Sequence, residues 1–245
     1  MKATHLFWGL GLLVSASAFA EPADYIYLPA VEYGEKEIDF KFGSARTGSD
    51  RDQAASIGFG YGATQRWFTE AYLKYARPSG EGTTFDAIEW ENKFQLTETG
   101  EYPVDIGLIT EIEITKRPGD PNEFKWGPLF QTDLGKLQLN GNLLFMKKFG
   151  RDDESSAHPV EFGYQWQVKY RASQAFQYGF QGFGETGKWN EWAPREEQNH
   201  RMGPAVFGKV GLGGRQVIKY NAAWLLGASQ AAPGHTLRAQ VEYEF

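Results

Sequence analysis

The sequence predicts an all-β protein: an antiparallel up-and-down transmembrane β-barrel of about twelve strands after a cleaved signal peptide. Three observations carry this expectation. Apolar residues recur at every second position along most of the 245 residues. The chain opens on an export signal. No apolar run reaches the ~20 residues that a spanning helix needs.

The export signal comes first. Lys2 supplies a positive n-region, Leu6 to Val14 an apolar core, and Ala18-Phe19-Ala20 a small-x-small cleavage site, so residues 1–20 read as a secretory signal peptide. The apolar core is too short to cross a bilayer of about 30 Å as a helix. Residues 21–35 hold Tyr25, Tyr27, Leu28, Val31 and Tyr33 and share no phase with the residues from 36 onward. They read as a periplasmic lead able to fold against the barrel mouth, and residues 36–245 as the barrel.

From Ile38 a period of two takes over. Ile38, Phe40 and Phe42 share a face, and a polar loop comes next at 44–53. Ile57, Phe59 and Tyr61 alternate with Gly58, Gly60 and Gly62, and a short turn at 63–66 leads to Trp67, Thr69, Ala71, Leu73 and Tyr75, with Glu70 and Lys74 on the opposite face. After a loop at 77–83, Ile88, Trp90, Phe94 and Leu96 oppose Glu89, Glu91, Lys93 and Gln95, an alternation that leaves little room for a helix. A turn at 97–103 precedes Val104, Ile106, Leu108, Ile112 and Ile114, set against Asp105, Glu111 and Glu113.

A loop at 116–123 leads to Phe124, Trp126 and Phe130, and a turn at 133–136 to Leu137, Leu139, Leu143 and Phe145, facing Gln138, Asn140 and Asn142. A loop at 150–159 precedes Val160, Phe162, Tyr164, Trp166, Val168 and Tyr170, which alternate with Glu161, Gln165, Gln167 and Lys169. Phe176, Tyr178 and Phe180 come next, then a loop at 185–200 with Trp189 and Trp192. Beyond it lie Met202, Pro204, Val206 and Val210, then Ile218, Tyr220, Ala222, Trp224 and Leu226, then a loop at 228–234. The last strand alternates Leu237, Ala239, Val241, Tyr243 and Phe245 with Arg238, Gln240 and Glu242.

An even number of strands puts both chain ends on one side, and one parity choice sends every longer loop to the outside. The closing strand then pairs with the first one at 38–42. Lys125-Trp-Gly-Pro128 and Arg201-Met-Gly-Pro204 share a pattern. Because proline cannot donate to a ladder, the pattern reads as similar rim geometry in two hairpins. A soluble sandwich would centre its aromatics on the core. Here Trp67, Tyr75, Trp126, Tyr170, Tyr178 and Tyr243 fall near strand ends, as interfacial girdles do, and closure removes the exposed edges of so large a sheet.

Signal peptide, paired strands, loop asymmetry and the terminal Phe resemble small Gram-negative outer-membrane barrels over nearly the whole chain. The resemblance implies the cell outer membrane as location, its lipid as surroundings, and barrel assembly machinery as a partner that reads Tyr243 and Phe245. More loosely, the Tyr33-Gly34 lead, the Gly-Pro strands and the size are similar to uncharacterised barrels associated with aromatic-degradation or metal-resistance pathways. That likeness is too generic to transfer a substrate.

Composition narrows the chemistry. A net charge of −6 argues against nucleic acid, and with no cysteine there is neither a disulfide framework nor a thiolate metal site. No phosphate loop, nucleotide fingerprint or zinc spacing occurs, so no cofactor and no metal site is expected. The inward set is charged. Glu70, Asp86, Glu89, Glu91, Asp105, Glu111 and Glu113, relieved by Lys74 and Lys93, make the early strands acidic. Lys125, Lys169, Arg171, Lys209, Lys219 and Arg238 outnumber Glu161, Glu185 and Glu242 on the later ones.

Two readings of that set stand side by side. In one, an acidic wall faces a basic wall across a narrow passive pore or transporter for small polar solutes. In the other, the same charges pair with one another while Phe68, Tyr72, Leu129, Met146, Phe183 and Phe207 fill a structural or adhesive barrel acting through Trp189 and Trp192. A third reading is a rim enzyme acting on lipid or peptide. His158, His200 and His235 fall at outer ends, with Asp152, Asp153, Ser155 and Ser156 beside the first. Nothing in the sequence fixes a base to a nucleophile, so no catalytic residue is assigned.

Overall fold

The computed structural model describes residues 21–150 and 158–245. The expected signal peptide and the loop residues Asp152, Asp153, Ser155 and Ser156 lie outside the described residues. Thirteen strands are present among the described ones: β1 (Lys36–Thr47), β2 (Asp50–Gly62), β3 (Trp67–Arg77), β4 (Thr84–Gln95), β5 (Asp105–Thr115), β6 (Asn122–Leu134), β7 (Leu137–Phe149), β8 (Glu161–Tyr170), β9 (Gln177–Lys188), β10 (Glu191–Trp192), β11 (Asn199–Gly213), β12 (Gln216–Gly227) and β13 (His235–Glu244). Twelve of them pair antiparallel with their neighbours around a closed ring, and the two-residue β10 hangs on the end of β9.

The ring closes between β1 and β13, with Ile38 opposite Tyr243, Phe40 opposite Val241 and Phe42 opposite Ala239. This is the seam expected from the sequence. Faces obey the alternation: Phe40, Phe42, Val241 and Leu237 are exposed on the outside, while Asp39, Lys41, Arg238 and Gln240 are buried within. An apolar exterior around a polar interior inverts a soluble protein and suits lipid outside.

Aromatic rings gather toward both rims. Near the rim where β1 begins and β13 ends, called lower here, Trp67 stacks on Phe94, Tyr170 meets Tyr178, and Tyr243 stacks on Phe245. Toward the upper rim a continuous row runs Phe124, Trp126, Phe145, Phe162, Trp192 along the outer wall. Trp192 thus belongs to the wall.

Several boundaries differ from expectation. The loop expected at 44–53 is strand: β1 runs to Thr47 and β2 starts at Asp50, joined at Gly48 with φ 61°. Much of 185–200 is likewise β9, β10 and β11. Hydrogen bonds of a ladder need no apolar side chain, so polar strands continue above the membrane belt where alternation has nothing to bury.

The Gly-Pro pairs also sit elsewhere than predicted. Gly127-Pro128 and Gly203-Pro204 lie in mid-strand, and the ladders of β6–β7 and β11–β12 skip both dipeptides without changing register. Proline offers no N–H there. The preceding glycine brings the neighbouring strand close: a Cβ on Gly127 would collide with the Leu143 carbonyl, and one on Gly203 with that of Trp224.

Candidate functional site, a lumen filled by its own N-terminal lead

The lead expected at the barrel mouth runs inside the lumen. At the lower rim the Gly34 N–H donates to the Gly62 carbonyl at 2.8 Å, and the Gly62 N–H to the Glu35 carbonyl at 2.9 Å. From there the chain climbs backwards in sequence until Glu21 meets the Lys74 ammonium at 3.0 Å and Asp24 meets Arg201 at 3.5 Å. Two wall glycines permit so close a path. A Cβ at Gly62 would strike the Glu32 carbonyl, and one at Gly43 the Pro22 backbone.

Consecutive lead residues enter sockets on different parts of the wall. Tyr27 packs with Ile109, Leu129, Leu144 and Met146 of β5, β6 and β7. Ile26 packs with Phe183, Ala205, Phe207, Ala223 and Leu225 of β9, β11 and β12. Each socket flanks one of the Gly-Pro dipeptides, so the two hairpins that share a sequence pattern also share a task. Burying a side chain such as Ile26 is worth about 1.5–3 kcal/mol. The bulky inward residues predicted to fill the lumen therefore do so largely by gripping the lead.

Polar contacts complete the grip. The Tyr27 hydroxyl donates to Glu111 at 2.7 Å, Asn142 donates to the Tyr27 carbonyl at 3.0 Å, and the Val31 N–H donates to Gln95 at 2.8 Å. Tyr25 donates to Glu91, and its ring lies 3.3 Å from the Lys41 ammonium. The same ammonium is 3.5 Å from the Tyr72 ring and 3.3 Å from Asp39.

The predicted lumen residues are all on the inner face, yet they meet close neighbours. Lys74 binds Glu89 at 3.0 Å and Glu113 at 2.5 Å, and Lys125 binds Glu111 at 2.8 Å. Lys219 reaches Glu35 at 3.3 Å and Glu242 at 3.8 Å and also pairs with Glu244, which Lys209 approaches at 3.8 Å. Lys93 stands 4.8 Å over the Phe68 ring and Lys169 5.4 Å over Phe207. Arg238 donates to Gln181 at 2.6 Å. Arg171 instead joins Asp133 at 3.1 Å near the lower rim, part-exposed. Glu89, Glu111 and Glu113 bring carboxylate oxygens within 4.8 Å of one another, as a metal ligand set would, and each of the three is already paired with Lys74 or Lys125.

Sequence reasoning passed over Asp39, Lys41, Arg201 and the lead tyrosines. The alternation that sends Ile38, Phe40 and Phe42 outward also sends Asp39 and Lys41 inward, so that signal was present. Tyr25 and Tyr27 carried none, since a segment without phase shows no face.

No protein-family model matches the sequence, and no curated protein matches it. Solved structures do. An outer-membrane channel from Pseudomonas putida F1 aligns with a TM-score of 0.59 at 13% identity, over 92% of this chain and 98% of that one. The fold is that of an outer-membrane β-barrel. The NanC and KdgM porins align with TM-scores of 0.52 at 11% and 9% identity, each over 85% of this chain and 98% of theirs. At such identities the likeness extends to the fold alone.

At the upper rim, the His200 ring bonds to Tyr164 at 3.0 Å and to Gln198 at 2.7 Å, and the His235 ring packs against Trp224. Ser229 accepts from the His200 backbone at 2.9 Å and leaves the ring alone. Among the described residues neither ring is aligned with a hydroxyl of Ser or Thr, which an acyl-transfer site needs.

Proposed function

We propose that this chain resides in the outer membrane as a narrow passive pore or transporter for small polar solutes, closed by its own residues 21–35. The observation that carries this reading is the manner of closure. Above Gly34 the lead is held by side-chain bonds, ion pairs and two sockets, not as a strand of the sheet, so it can leave while the barrel's ladder stays whole. The presence of a channel and two porins among the aligned structures favours the same reading. Cleavage after Ala20 belongs to it, and the intact mass of protein from outer-membrane fractions tests that step. Barrel assembly machinery acting on Tyr243 and Phe245, both on the lower outer rim, belongs to it as well; a Phe245→Ala chain that reaches the membrane at the normal rate counts against that part.

Single-channel recording in planar bilayers tests the function. Wild type is expected to show a low mean conductance with brief openings, and a Tyr25→Ala, Tyr27→Ala protein longer openings of larger conductance. The well-filled sockets favour a second reading, a permanently filled structural barrel. Silence from both proteins would establish that one.

A further inference from the structure

The outer wall of the barrel carries a polar row where it should meet lipid. Thr69 of β3 lies opposite Asn92 of β4, and Asn92 opposite Thr110 of β5. All three share the parity of outward neighbours: Asn92 falls between Trp90, 53% exposed, and Phe94, and Thr110 between Leu108 and Ile112. Thr110 is the midpoint of β5 (Asp105–Thr115). A tilted strand of that length spans the hydrocarbon layer, so its midpoint lies far from either headgroup layer. Among the described residues, the other outward positions between the aromatic rims are apolar or aromatic side chains or glycine, as at Gly141 and Leu143 of β7 or Pro204 and Val206 of β11.

Hydrogen bonds along the row occupy its acceptors and leave two donors over. The Trp67 indole donates to Asn92 Oδ1 at 3.0 Å, and the Trp90 indole to Thr69 Oγ1 at 2.8 Å, while the Thr69 hydroxyl donates to the Glu91 carbonyl at 3.4 Å. The Asn92 Nδ2 group and the Thr110 hydroxyl have no partner among the described residues, and neither is sealed off by its neighbours. Hydrocarbon offers them no acceptor, and an unmet donor in lipid is costly. Lipid esters and phosphates lie near the depth of the aromatic girdles and do not reach the middle of β5.

We infer that this face of β3, β4 and β5 is where two copies of the chain meet. A second copy in the same membrane has the same orientation, so it brings the same row at the same depth. A primary amide is self-complementary: Nδ2 donates, and Oδ1 keeps a lone pair after accepting from Trp67. About a twofold axis near Asn92 the two amides exchange hydrogen bonds, as an isologous interface requires. Ala71, beside the row on β3 and exposed, lets a second wall come close, as small residues do between membrane segments. With the row on one side of the barrel, the pair closes as a dimer. The inference rests on the barrel's place in a membrane and is independent of whether the lumen conducts.

The test uses the absence of cysteine from the chain. Ala71→Cys protein, oxidised in isolated outer membranes, is expected to give a disulfide-linked dimer on a non-reducing gel. Val206→Cys, outward on β11 across the ring, is expected to stay monomeric and controls for chance collision. Adding Asn92→Leu to Ala71→Cys is expected to lower the dimer fraction at least tenfold, with folding checked by heat-modifiable gel mobility. Should that protein fail to fold, Asn92→Ser keeps an acceptor for Trp67 and removes the amide, and is expected to lower the dimer fraction severalfold. Monomer throughout overturns the interface. So does equal cross-linking at Ala71 and Val206, a cross-link of Ala71→Cys to a different protein alone, or an unchanged dimer fraction in whichever Asn92 variant folds.

Discussion

Tyr25 of the lead and Tyr72 of β3 face the same ammonium: Lys41 Nζ lies 3.3 Å from one ring centroid and 3.5 Å from the other. Tyr72 also donates to Asp39 at 2.8 Å, so one half of this clasp is fixed to the wall. The other half belongs to the lead. Replacing Tyr25 by alanine removes one cation–π contact, worth about 0.5–2 kcal/mol, together with the bond to Glu91. The barrel is expected to keep its heat-modifiable mobility while the lead becomes susceptible to limited proteolysis. A lead equally protected in variant and wild type would show that the clasp contributes nothing.

The same release is reachable from the wall. Gly43 faces inward on β1, and a side chain there runs into the backbone of Pro22 and Ala23. Backbone cannot step aside as a flexible side chain can, so Gly43→Val must displace the lead. Its β1 ladder is untouched, and valine suits a strand. Conductance of Gly43→Val is expected to match that of the Tyr25→Ala, Tyr27→Ala protein. If it conducts like wild type, the lead is not what closes the lumen.

Glu111 ties three parts together, accepting from Lys125 at 2.8 Å and from Tyr27 at 2.7 Å. Glu111→Gln leaves the Lys125 ammonium buried without its nearest anion. Losing one partner of a buried pair costs about 3–5 kcal/mol. The urea midpoint for unfolding in detergent is expected to fall accordingly. Arg66 and Glu98 pair at 2.6 Å with both side chains more than half exposed, and Arg66→Ala is expected to cost under about 1 kcal/mol. Equal shifts for the two variants would mean that Lys125 finds other carboxylates at no cost.

Much of the wall was legible because strands spanning a membrane must alternate, and alternation writes itself into residues such as Ile88, Glu89, Trp90 and Glu91. The inward direction of Glu70, Lys74 and Arg238 obeys the same rule. Where the membrane stops constraining the outer face, the signal stops, which is why the upper ends of β1 and β2 read as a loop. The lead was illegible for a different reason. Its contacts run from Tyr27 to Glu111 and from Ile26 to Leu225, across distances in sequence that no local period records. The pattern shared around Lys125 and Arg201 is visible in the sequence, but only the sockets beside them show what Gly127-Pro128 and Gly203-Pro204 do.

Closure itself can be checked in the absence of any background thiol, since the chain contains no cysteine. Phe40 and Val241 are directly opposed across the β1–β13 seam and both face outward. Opposed strand residues have Cα atoms about 4.5–5.5 Å apart, inside the range a disulfide bridges. Cysteines at Phe40 and Val241 are therefore expected to cross-link under mild oxidation, which on a reducing and non-reducing gel pair appears as a mobility difference of the denatured chain. Moving the second cysteine to Gln240 shifts it by one residue and turns its side chain into the lumen. That pair is expected to stay reduced. Cross-linking of Phe40 with Gln240 in preference to Val241 would mean a seam in another register, with every inward charge of β13 assigned to the wrong face.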